Sequence, residues 1–415
     1  MKVLIISTYD AKGGAARATY RLHQGLKQLD ISSTMLVKEK VTSDSSVLGA
    51  STKLGEGIAK TKETLDAIPL KLYPSRSKAT FSTQWLPDHT LAGVRKINPD
   101  IVNLHWVGGS YLKIESLARF NRPVVWTLQD IWAFTGGCHY AEGCTQFEDR
   151  CGACPQLGSK TELDLSRWVW KRKARAWKTL DLTIVAPSNW MAECAKASSL
   201  FKDKRVEVIP FGLDTDIYKP IERSLARHVL GLDQDKKVIL FGAINATSDY
   251  RKGFHLLRAA LENLSSSEEE KENITLCIFG AQGAQGLEDL DMHIHFLGHL
   301  QDDLSLSIAY SAADVMVVPS IEESFGQTVT ESLACGTPVV SFAATGPKDT
   351  ISHQIDGYLA TPYDTKDLTA GIRWILSDEG RHQKLCENAR LAAIKEYGRK
   401  LQASRYIDLF ESILN

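Results

Sequence analysis

Residues Val315–Val340 read VMVVPSIEESFGQTVTESLACGTPVV, and this stretch decides the fold class. An apolar run of strand length precedes a polar loop and a helical pattern, which we expect to begin near Ser324–Gln327. A Gly-Thr-Pro turn then leads into a second apolar run. Strands joined through a helix pair in parallel, so the stretch predicts a parallel sheet covered by helices.

The same order of short apolar runs and amphipathic segments fills the rest of the chain. Lys2–Ser7 with its Gly13-Gly14 loop, and Lys237–Gly242 with its loop ending in Gly253, each open like the first βα unit of a doubly wound domain. The other predicted strands are Thr34–Val37, Ile101–His105, Val124–Leu128, Leu182–Ala186, Val206–Ile209, Ile274–Phe279, Ile294–Leu297, Val315–Pro319 and Val339–Phe342. We therefore predict an α/β protein with two Rossmann-like domains, 1–212 and 213–398, and a last helix at 399–415.

Composition narrows the class of protein. At 415 residues the chain is long enough for two or three domains, and 43% hydrophobic with 24% charged residues is typical of globular proteins. A net charge of −1 gives no overall positive potential that would attract nucleic acid. No apolar run approaches the roughly 18 residues that span a bilayer. The apolar start Val3–Ile6 is too short for a signal peptide, so we expect a cytoplasmic protein.

Four of the eight cysteines lie close together in the sequence, at Cys138, Cys144, Cys151 and Cys154. Four thiolates ending in a Cys-x-x-Cys pair can close a tetrahedral structural zinc site, with His139 as a spare ligand. Disulfide pairs and unliganded thiols stay open as alternatives, because a cytosolic chain keeps its cysteines reduced. A zinc ion with four cysteine ligands would stabilise a loop rather than catalyse a reaction, because it has no open coordination position.

The segment Arg167–Lys178 reads RWVWKRKARAWK and projects as an amphipathic helix. Trp170, Ala174 and Trp177 share one side, and Trp168 lies on the opposite side with Arg167, Lys171, Arg172, Arg175 and Lys178. One interpretation is contact with anionic lipid headgroups at the inner face of a membrane. The alternative is an ordinary surface helix that packs its Trp stripe on the core.

The chemistry is expected at the start of the helix in the opening stretch. Unpaired amides and the helix dipole suit a phosphate there, and Gly326 allows close approach to the backbone. Glu323 and Glu331 bracket this point about 12 Å apart, at a rise of 1.5 Å per residue. Their carboxylates can accept hydrogen bonds from vicinal hydroxyls. Arg251 and Lys252 follow the first strand of the same domain, so they can face the same crevice and neutralise a diphosphate.

These residues resemble the retaining glycosyltransferases of family 4 (group 1), which have the GT-B fold. The resemblance covers essentially the whole chain, and its most specific element is Glu323-x7-Glu331. The other matching segments are Ser324-Phe325-Gly326, Ala334–Val340, Arg251-Lys252-Gly253, Gly13-Gly14, Ser188-Asn189-Trp190 and Ile209–Gly212. The Phe134–Tyr140 segment with its cysteine cluster resembles a subgroup associated with bacterial polysaccharide assembly.

The resemblance implies two domains facing a cleft, with the first binding the acceptor, the second binding a nucleotide sugar, and the last helix crossing back. The acceptor would be a saccharide or a lipid-linked molecule. No cofactor or divalent metal is required for transfer, because cations of the protein stabilise the leaving group. Glu323, Lys252 and Arg251 are implied as catalytic residues. The implied donor-binding residues are Gly14, Gln129, Phe325, Gly326, Gln327 and Glu331.

One departure from the family pattern keeps an alternative open. The related sequences usually carry His where Gln129 stands, and Gln can hydrogen-bond a hydroxyl but cannot titrate. This motivates a second hypothesis, a non-catalytic nucleotide-sugar-binding subunit of an assembly complex. A nucleotide-hexose epimerase that shares the fold is a third.

Overall fold

The computed structural model describes residues 1–50, 53–265, 268–283, 287, 290 and 292–415. The chain divides into two compact units. Unit 1 comprises Met1–Gly212 and Lys400–Asn415, and unit 2 comprises Leu213–Arg399.

Unit 1 is built on a parallel sheet that has seven strands in the described residues, in the order β3-β2-β1-β4-β5-β6-β7. These strands are β1 (Lys2–Tyr9), β2 (Ser32–Glu39), β3 (Val47–Ala50), β4 (Ile101–Leu104), β5 (Val124–Thr127), β6 (Leu182–Ala186) and β7 (Arg205–Val208). The helices of this part of the chain are α1 (Gly14–Gln28), α2 (Lys53–Asp66), α3 (Thr90–Ile97), α4 (Leu165–Trp177) and α5 (Asn189–Ala197).

Alternation along β1 explains why unit 1 has helices on both faces of its sheet. Leu4 and Ile6 point into one apolar cluster, whereas Val3 and Ile5 point into another, because successive side chains of a strand face opposite sides. The second cluster contains Tyr406 and other residues of the last helix, so that helix packs on the sheet of unit 1.

Unit 2 repeats the plan with six strands among its described residues, in the order β10-β9-β8-β11-β12-β13. They are β8 (Lys237–Gly242), β9 (Ile274–Phe279), β10 (His293–Gly298), β11 (Val315–Val318), β12 (Val339–Phe342) and β13 (Gly357–Ala360). The helices from here to the end of the chain are α6 (Arg223–Leu230), α7 (Phe254–Leu264), α8 (Glu268–Asn273), α9 (Asp303–Ala312), α10 (Gln327–Ala334), α11 (Thr365–Leu376), α12 (Glu379–Tyr397) and α13 (Arg399–Leu414).

Short 3₁₀ turns occupy several connections in both units. They span Ile68–Leu72, Ile114–Arg119, Trp132–Phe134, Gln146–Glu148, Pro155–Leu157, Tyr250–Lys252 and Gly346–Asp349. Within the described residues, no helix has the length and apolar character needed to cross a bilayer.

The predicted fold class, two parallel α/β domains of Rossmann type, is confirmed. All eleven predicted strands are present, but β3 and β13 were not predicted. Each is a four-residue strand at the edge of its sheet and contains a glycine. The glycine leaves each of them a shorter apolar run than those that identified the other four-residue strands.

Candidate active site

The strand order of unit 2 creates a crevice at the carboxyl ends of β8 and β11. From β8 the chain moves outward to β9 and β10, then returns to β11 on the other side. Ligands of open α/β sheets bind at such a reversal of strand order. The sequence-predicted residues Arg251, Lys252 and Glu323 all lie in the loops that follow these two strands.

Hydrogen bonds tie three loops together at this edge of the sheet. The amide of Ile321, after β11, donates to the carbonyl of Arg251, after β8, at 2.8 Å. The amide of Gly346, after β12, donates to the carbonyl of Glu323, also at 2.8 Å. The amide of Glu323 in turn donates to the Thr345 hydroxyl at 3.3 Å. The loop that carries Glu323 is therefore held from both sides.

Gly253 explains how the β8 loop approaches the β11 loop so closely. Its φ of +72° lies in the left-handed region, and it ends the turn that contains Arg251 and Lys252. A Cβ atom at this position would overlap the carbonyl oxygen of Pro319. Only glycine satisfies both conditions without displacing the backbone.

Lys252 and Glu323 form an ion pair across the two loops. The Lys252 Nζ lies 2.5 Å from the Glu323 Oε2, and each side chain keeps 21% of its surface exposed. Burial alone raises the pKa of Glu323, but the Lys252 ammonium, with a smaller effect of Arg251, lowers it overall. The structure thus brings together two predicted catalytic residues that are 71 positions apart in the sequence. The carboxylate stays charged, and the cation stays at the mouth of the crevice.

Arg251 is positioned by its own loop. Its guanidinium contacts the Asp249 carboxylate at 2.5 Å, and its backbone amide donates a hydrogen bond to the same carboxylate at 3.1 Å. The Arg251 side chain is 19% exposed. The loop therefore presents two cations side by side, of which Lys252 faces the loop of Glu323.

Phe325, Gly326 and Gln327 form the start of α10, as the sequence predicted. Gly326 is the N-cap with φ +92°, and no side chain caps the helix. Phe325 is buried and packs edge-on against Tyr397, with ring centroids 5.9 Å apart. This packing fixes the backbone from which the first amides of the helix point, and those amides suit an anion.

Glu331 lies in the second turn of α10 and is nearly buried. Its Oε2 accepts a hydrogen bond from the Tyr310 hydroxyl at 3.0 Å. Burial and the nearby carboxylate raise the pKa of Tyr310 well above its usual value, so the phenol stays a donor. Tyr310 was not predicted from the sequence, because nothing local to it signals a contact 21 residues away.

In unit 1, Gln129 follows β5 and joins a buried chain of polar groups. Its Nε2 lies 3.1 Å from the His105 Nδ1, and the His105 Nε2 lies 2.9 Å from the Asn103 Oδ1. Burial lowers the pKa of His105 to about 3, so the ring is neutral. The Gln129 amide therefore donates to His105, and the ring donates to Asn103. This leaves the Gln129 Oε1 as the acceptor available for further contacts.

The remainder of this chain of groups anchors the last helix. The Asn103 amide donates to the Thr127 hydroxyl at 3.0 Å, and this hydroxyl lies 2.8 Å from the Tyr406 hydroxyl. All of these groups are buried. Gly14, the other donor-binding residue predicted in unit 1, is the first residue of α1 after the Gly13 N-cap.

A second network beside Gln129 was missed by the sequence analysis. The Asp130 Oδ2 lies 2.6 Å from the His139 Nδ1 and accepts from the Trp106 indole at 2.7 Å. The other nitrogen of His139 lies 2.8 Å from the Ser82 hydroxyl. A cavity of about 10 Å³ borders this network and has room for about one water molecule. His139 is therefore a fixed structural group rather than the spare metal ligand that we expected.

The expected structural zinc site is not supported. In the described part of the chain, no group of three or more His, Cys, Asp or Glu side chains is placed to hold a metal ion. Cys138, Cys144, Cys151 and Cys154 are all free thiols. Burial raises the pKa of Cys138, and it raises that of Cys151 to about 12. Protonated thiols pack as small apolar groups, which is the third of the alternatives that the sequence left open.

Only some basic side chains of Arg167–Lys178 are exposed in the structure, and the others have partners within the protein. Arg167 is buried against Glu162 at 2.5 Å, and Arg172 pairs with Glu115 at 2.7 Å. Lys173 is fully buried, donates to the Trp132 carbonyl, and lies 3.5 Å from the centre of the Trp132 ring. The projection was thus wrong for Arg167 and Arg172, because tertiary partners draw them inward; it had left Lys173 unassigned.

Curated relatives align with about half of the chain. A D-inositol 3-phosphate glycosyltransferase of Geodermatophilus obscurus is 33% identical over 202 residues, which is 45% of this chain and 43% of that protein. A second protein of that name, from Catenulispora acidiphila, is 30% identical over 197 residues, 45% of each chain. The chain thus spans less than half the length of these relatives.

Solved structures match over the whole chain. The sucrose-phosphate synthase of Thermosynechococcus elongatus has a TM-score of 0.72 at 18% identity, covering 100% of this chain and 99% of that one. Anabaena HepE, solved with UDP-glucose, has a TM-score of 0.64 at 18% identity, covering 99% and 100%. At such identities the likeness shows the fold, which is that of the GT-B glycosyltransferases.

Two family models account for nearly all of the sequence. The model described as Glycosyltransferase Family 4 matches residues 12–217, which lie in unit 1 and the first residues beyond it. The model described as Glycosyl transferases group 1 matches residues 222–392, which hold the Lys252–Glu323 pair and α10. The chain therefore belongs to the family 4 (group 1) glycosyltransferases.

Proposed function

We propose that the protein is a retaining glycosyltransferase that moves a sugar from a nucleotide-diphosphate-sugar donor to a saccharide or lipid-linked acceptor in bacterial polysaccharide or glycoconjugate synthesis. The observation that carries this proposal is the Lys252–Glu323 pair at the reversal of strand order, beside the start of α10. The names of the relatives support sugar transfer, and the UDP-glucose bound to HepE supports a nucleotide-sugar donor.

The pair combines the two kinds of group that such a donor requires. Lys252 and Arg251 supply positive charge for the diphosphate, and the first amides of α10 add the partial charge of a helix N-terminus. Glu323 supplies acceptor oxygens for sugar hydroxyls. In the absence of donor the Lys252 ammonium is neutralised by Glu323, so donor binding exchanges one anionic partner of Lys252 for another.

Glu331 is assigned to the ribose of the nucleotide. Its carboxylate has one oxygen held by Tyr310, which fixes the orientation of the group. A carboxylate held in this way can accept bonds from vicinal hydroxyls with little loss of side-chain freedom. Gly14 and Gln129 stay predicted donor contacts of unit 1.

The proposed reaction needs no metal. The bond between the anomeric carbon and the phosphate oxygen breaks, and the diphosphate leaves with the electron pair, stabilised by Lys252 and Arg251. The acceptor hydroxyl forms the new glycosidic bond on the same face. Its proton passes to the departing phosphate oxygen, so no separate protein base is required.

A donor screen tests the proposal. The protein would be incubated with UDP-, GDP- and ADP-sugars in the presence of a chelator, and acceptor-dependent release of nucleoside diphosphate would be measured. We expect release with at least one donor and retention of the anomeric configuration by NMR. The variant Lys252→Ala/Glu331→Ala should lose at least about 1,000-fold in turnover, the range that removal of charge-stabilising groups produces.

A matched control guards against general damage. Arg258 and Glu262 form an exposed ion pair on α7 in the same unit, so Arg258→Ala/Glu262→Ala removes the same charges away from the crevice. This control should keep its activity. Full activity of the Lys252→Ala/Glu331→Ala variant would refute the assignment.

The second candidate is a non-catalytic nucleotide-sugar-binding subunit, which the neutral Gln129 favours. Its Nε2 is already engaged by His105, so the side chain offers a fixed acceptor and no proton. Calorimetric donor binding without turnover for any donor and acceptor would support this candidate. A gain of activity in Gln129→His would support it further.

A further inference from the structure

Unit 1 exposes several large apolar side chains in segments that lie next to one another. Leu72 and Leu163 are 80% and 78% exposed, and Trp168 is 43% exposed. Leu65, Ile68 and Trp85 are also exposed. Single exposed apolar residues are ordinary, but neighbouring ones indicate an interaction surface.

Hydrogen bonds show that these segments are adjacent. The Trp85 amide donates to the Asp66 carboxylate at 3.1 Å, which joins Trp85 to the end of α2. The amide of Leu165 donates to the Tyr73 hydroxyl at 2.9 Å, which joins the start of α4 to the same segment. Arg172 of α4 donates to the carbonyls of Thr83 and Gln84, at 2.8 and 2.9 Å.

The outer face of α4 adds positive charge to this surface. Lys171, Arg175 and Lys178 are exposed at helical spacing with Trp168, and Arg172 stacks on the Trp168 ring at 4.5 Å. Among the described residues, no hydrogen-bond or ion-pair partner is found for these three cations. By contrast, the two neighbouring carboxylates, Glu115 and Glu162, are paired with arginines.

We propose that this surface, formed by Leu65–Leu72, Trp85, Leu163 and the outer face of α4, docks on the anionic headgroups of a lipid bilayer. The three cations supply the charge complementarity, and the apolar side chains reach the boundary between headgroups and acyl chains. Hydrogen bonds of Arg172 and Lys173 to other elements of unit 1 fix the orientation of α4 and therefore of its exposed stripe. The inference goes beyond sugar transfer and does not depend on it.

Sedimentation with vesicles tests the proposal on the full chain. Vesicles of phosphatidylglycerol with phosphatidylcholine would be compared with vesicles of phosphatidylcholine alone. We expect binding to the anionic vesicles and little to the neutral ones. The variant Lys171→Gln/Arg175→Gln/Lys178→Gln should bind roughly 100-fold more weakly, from the contribution of each basic residue near an anionic surface. Leu72→Ser/Leu163→Ser should weaken binding by about tenfold or more.

The control variant removes three exposed lysines elsewhere, as Lys202→Gln/Lys384→Gln/Lys395→Gln, and should bind as the parent does. All the substituted side chains are exposed, so folding should be unchanged, which thermal unfolding would verify. Equal binding to both kinds of vesicle, no binding to either, or equal loss in the two triple variants would overturn the proposal. Failure of the donor screen would leave this outcome unaffected, because vesicle binding needs no turnover.

Discussion

Replacing Gly253 by Ala probes how the candidate active site is assembled. The residue has φ +72° and lies directly after Lys252, at the point where the β8 loop meets Pro319 of the β11 loop. The added methyl group would face two separate penalties. The alanine backbone would have to stay in the left-handed region, and the methyl group would overlap the Pro319 carbonyl oxygen.

The size of each penalty follows from the geometry. A non-glycine residue in the left-handed region costs roughly 1–2 kcal/mol. Restoring an ordinary contact of about 3.5 Å requires the two loops to separate by more than about 1 Å. Overpacking of this kind typically costs about 1–3 kcal/mol, so the total loss of unfolding free energy should be roughly 2–5 kcal/mol.

Gly231 supplies a control with nearly the same backbone. Its φ is +68°, and a Cβ atom there would have nothing within 4 Å. Gly231→Ala should therefore show only the conformational penalty of roughly 1–2 kcal/mol. The difference between the two variants isolates the clash with Pro319.

The activities should separate the variants more clearly than the stabilities do. A displacement of about 1 Å in a positioned catalytic group can cost about 100-fold in rate. We expect Gly253→Ala to lose about 100-fold in donor-dependent release of nucleoside diphosphate, whereas Gly231→Ala keeps the parent rate. Urea unfolding curves and initial rates on the same preparations would provide both measurements. If Gly253→Ala matched Gly231→Ala in both, the role of the loop contact would be refuted.

Two further perturbations follow from buried groups. Glu331→Gln should raise the donor KM by about tenfold or more, since a hydrogen bond to a charged group contributes about 1.5–3 kcal/mol. Initial-rate kinetics would check this, with Glu387→Gln at an exposed position of α12 as the control. An unchanged KM would contradict the ribose assignment. Burial lowers the pKa of Lys173 from 10.5 to about 7. Above about pH 7 the unfolded chain therefore binds more protons at this residue than the folded protein does. The free energy of unfolding then rises with pH, by up to about 1.4 kcal/mol per pH unit. Lys173→Met should flatten that rise between about pH 7 and about pH 8.5, a range below the ionisation of ordinary cysteines. Urea unfolding at several pH values in this range would measure the slope. An identical slope in the parent and the variant would count against a neutral Lys173.

Much of the fold could be predicted from the sequence because its signals are local. Apolar runs of strand length, the loops that follow them and the helices beyond were all visible as short-range patterns, as in Lys237–Gly242 and Val315–Val318. The positions of Lys252 and Glu323 at strand ends were visible in the same way. The edge strands β3 and β13 were not, because a glycine takes one of their four positions and leaves too short an apolar run.

Tertiary structure decided how these local pieces combine. The contact of Lys252 with Glu323 depends on β8 and β11 being neighbours in the sheet, and the contact of Glu331 with Tyr310 depends on how α10 packs on α9. The same is true of the basic side chains of α4. Arg172 and Lys173 turn inward because Glu115 and the Trp132 carbonyl meet them there, whereas Lys171 and Arg175 stay outside. Local sequence sets which conformation each segment prefers, but a charged side chain is satisfied by partners that only the packing of distant segments brings within reach.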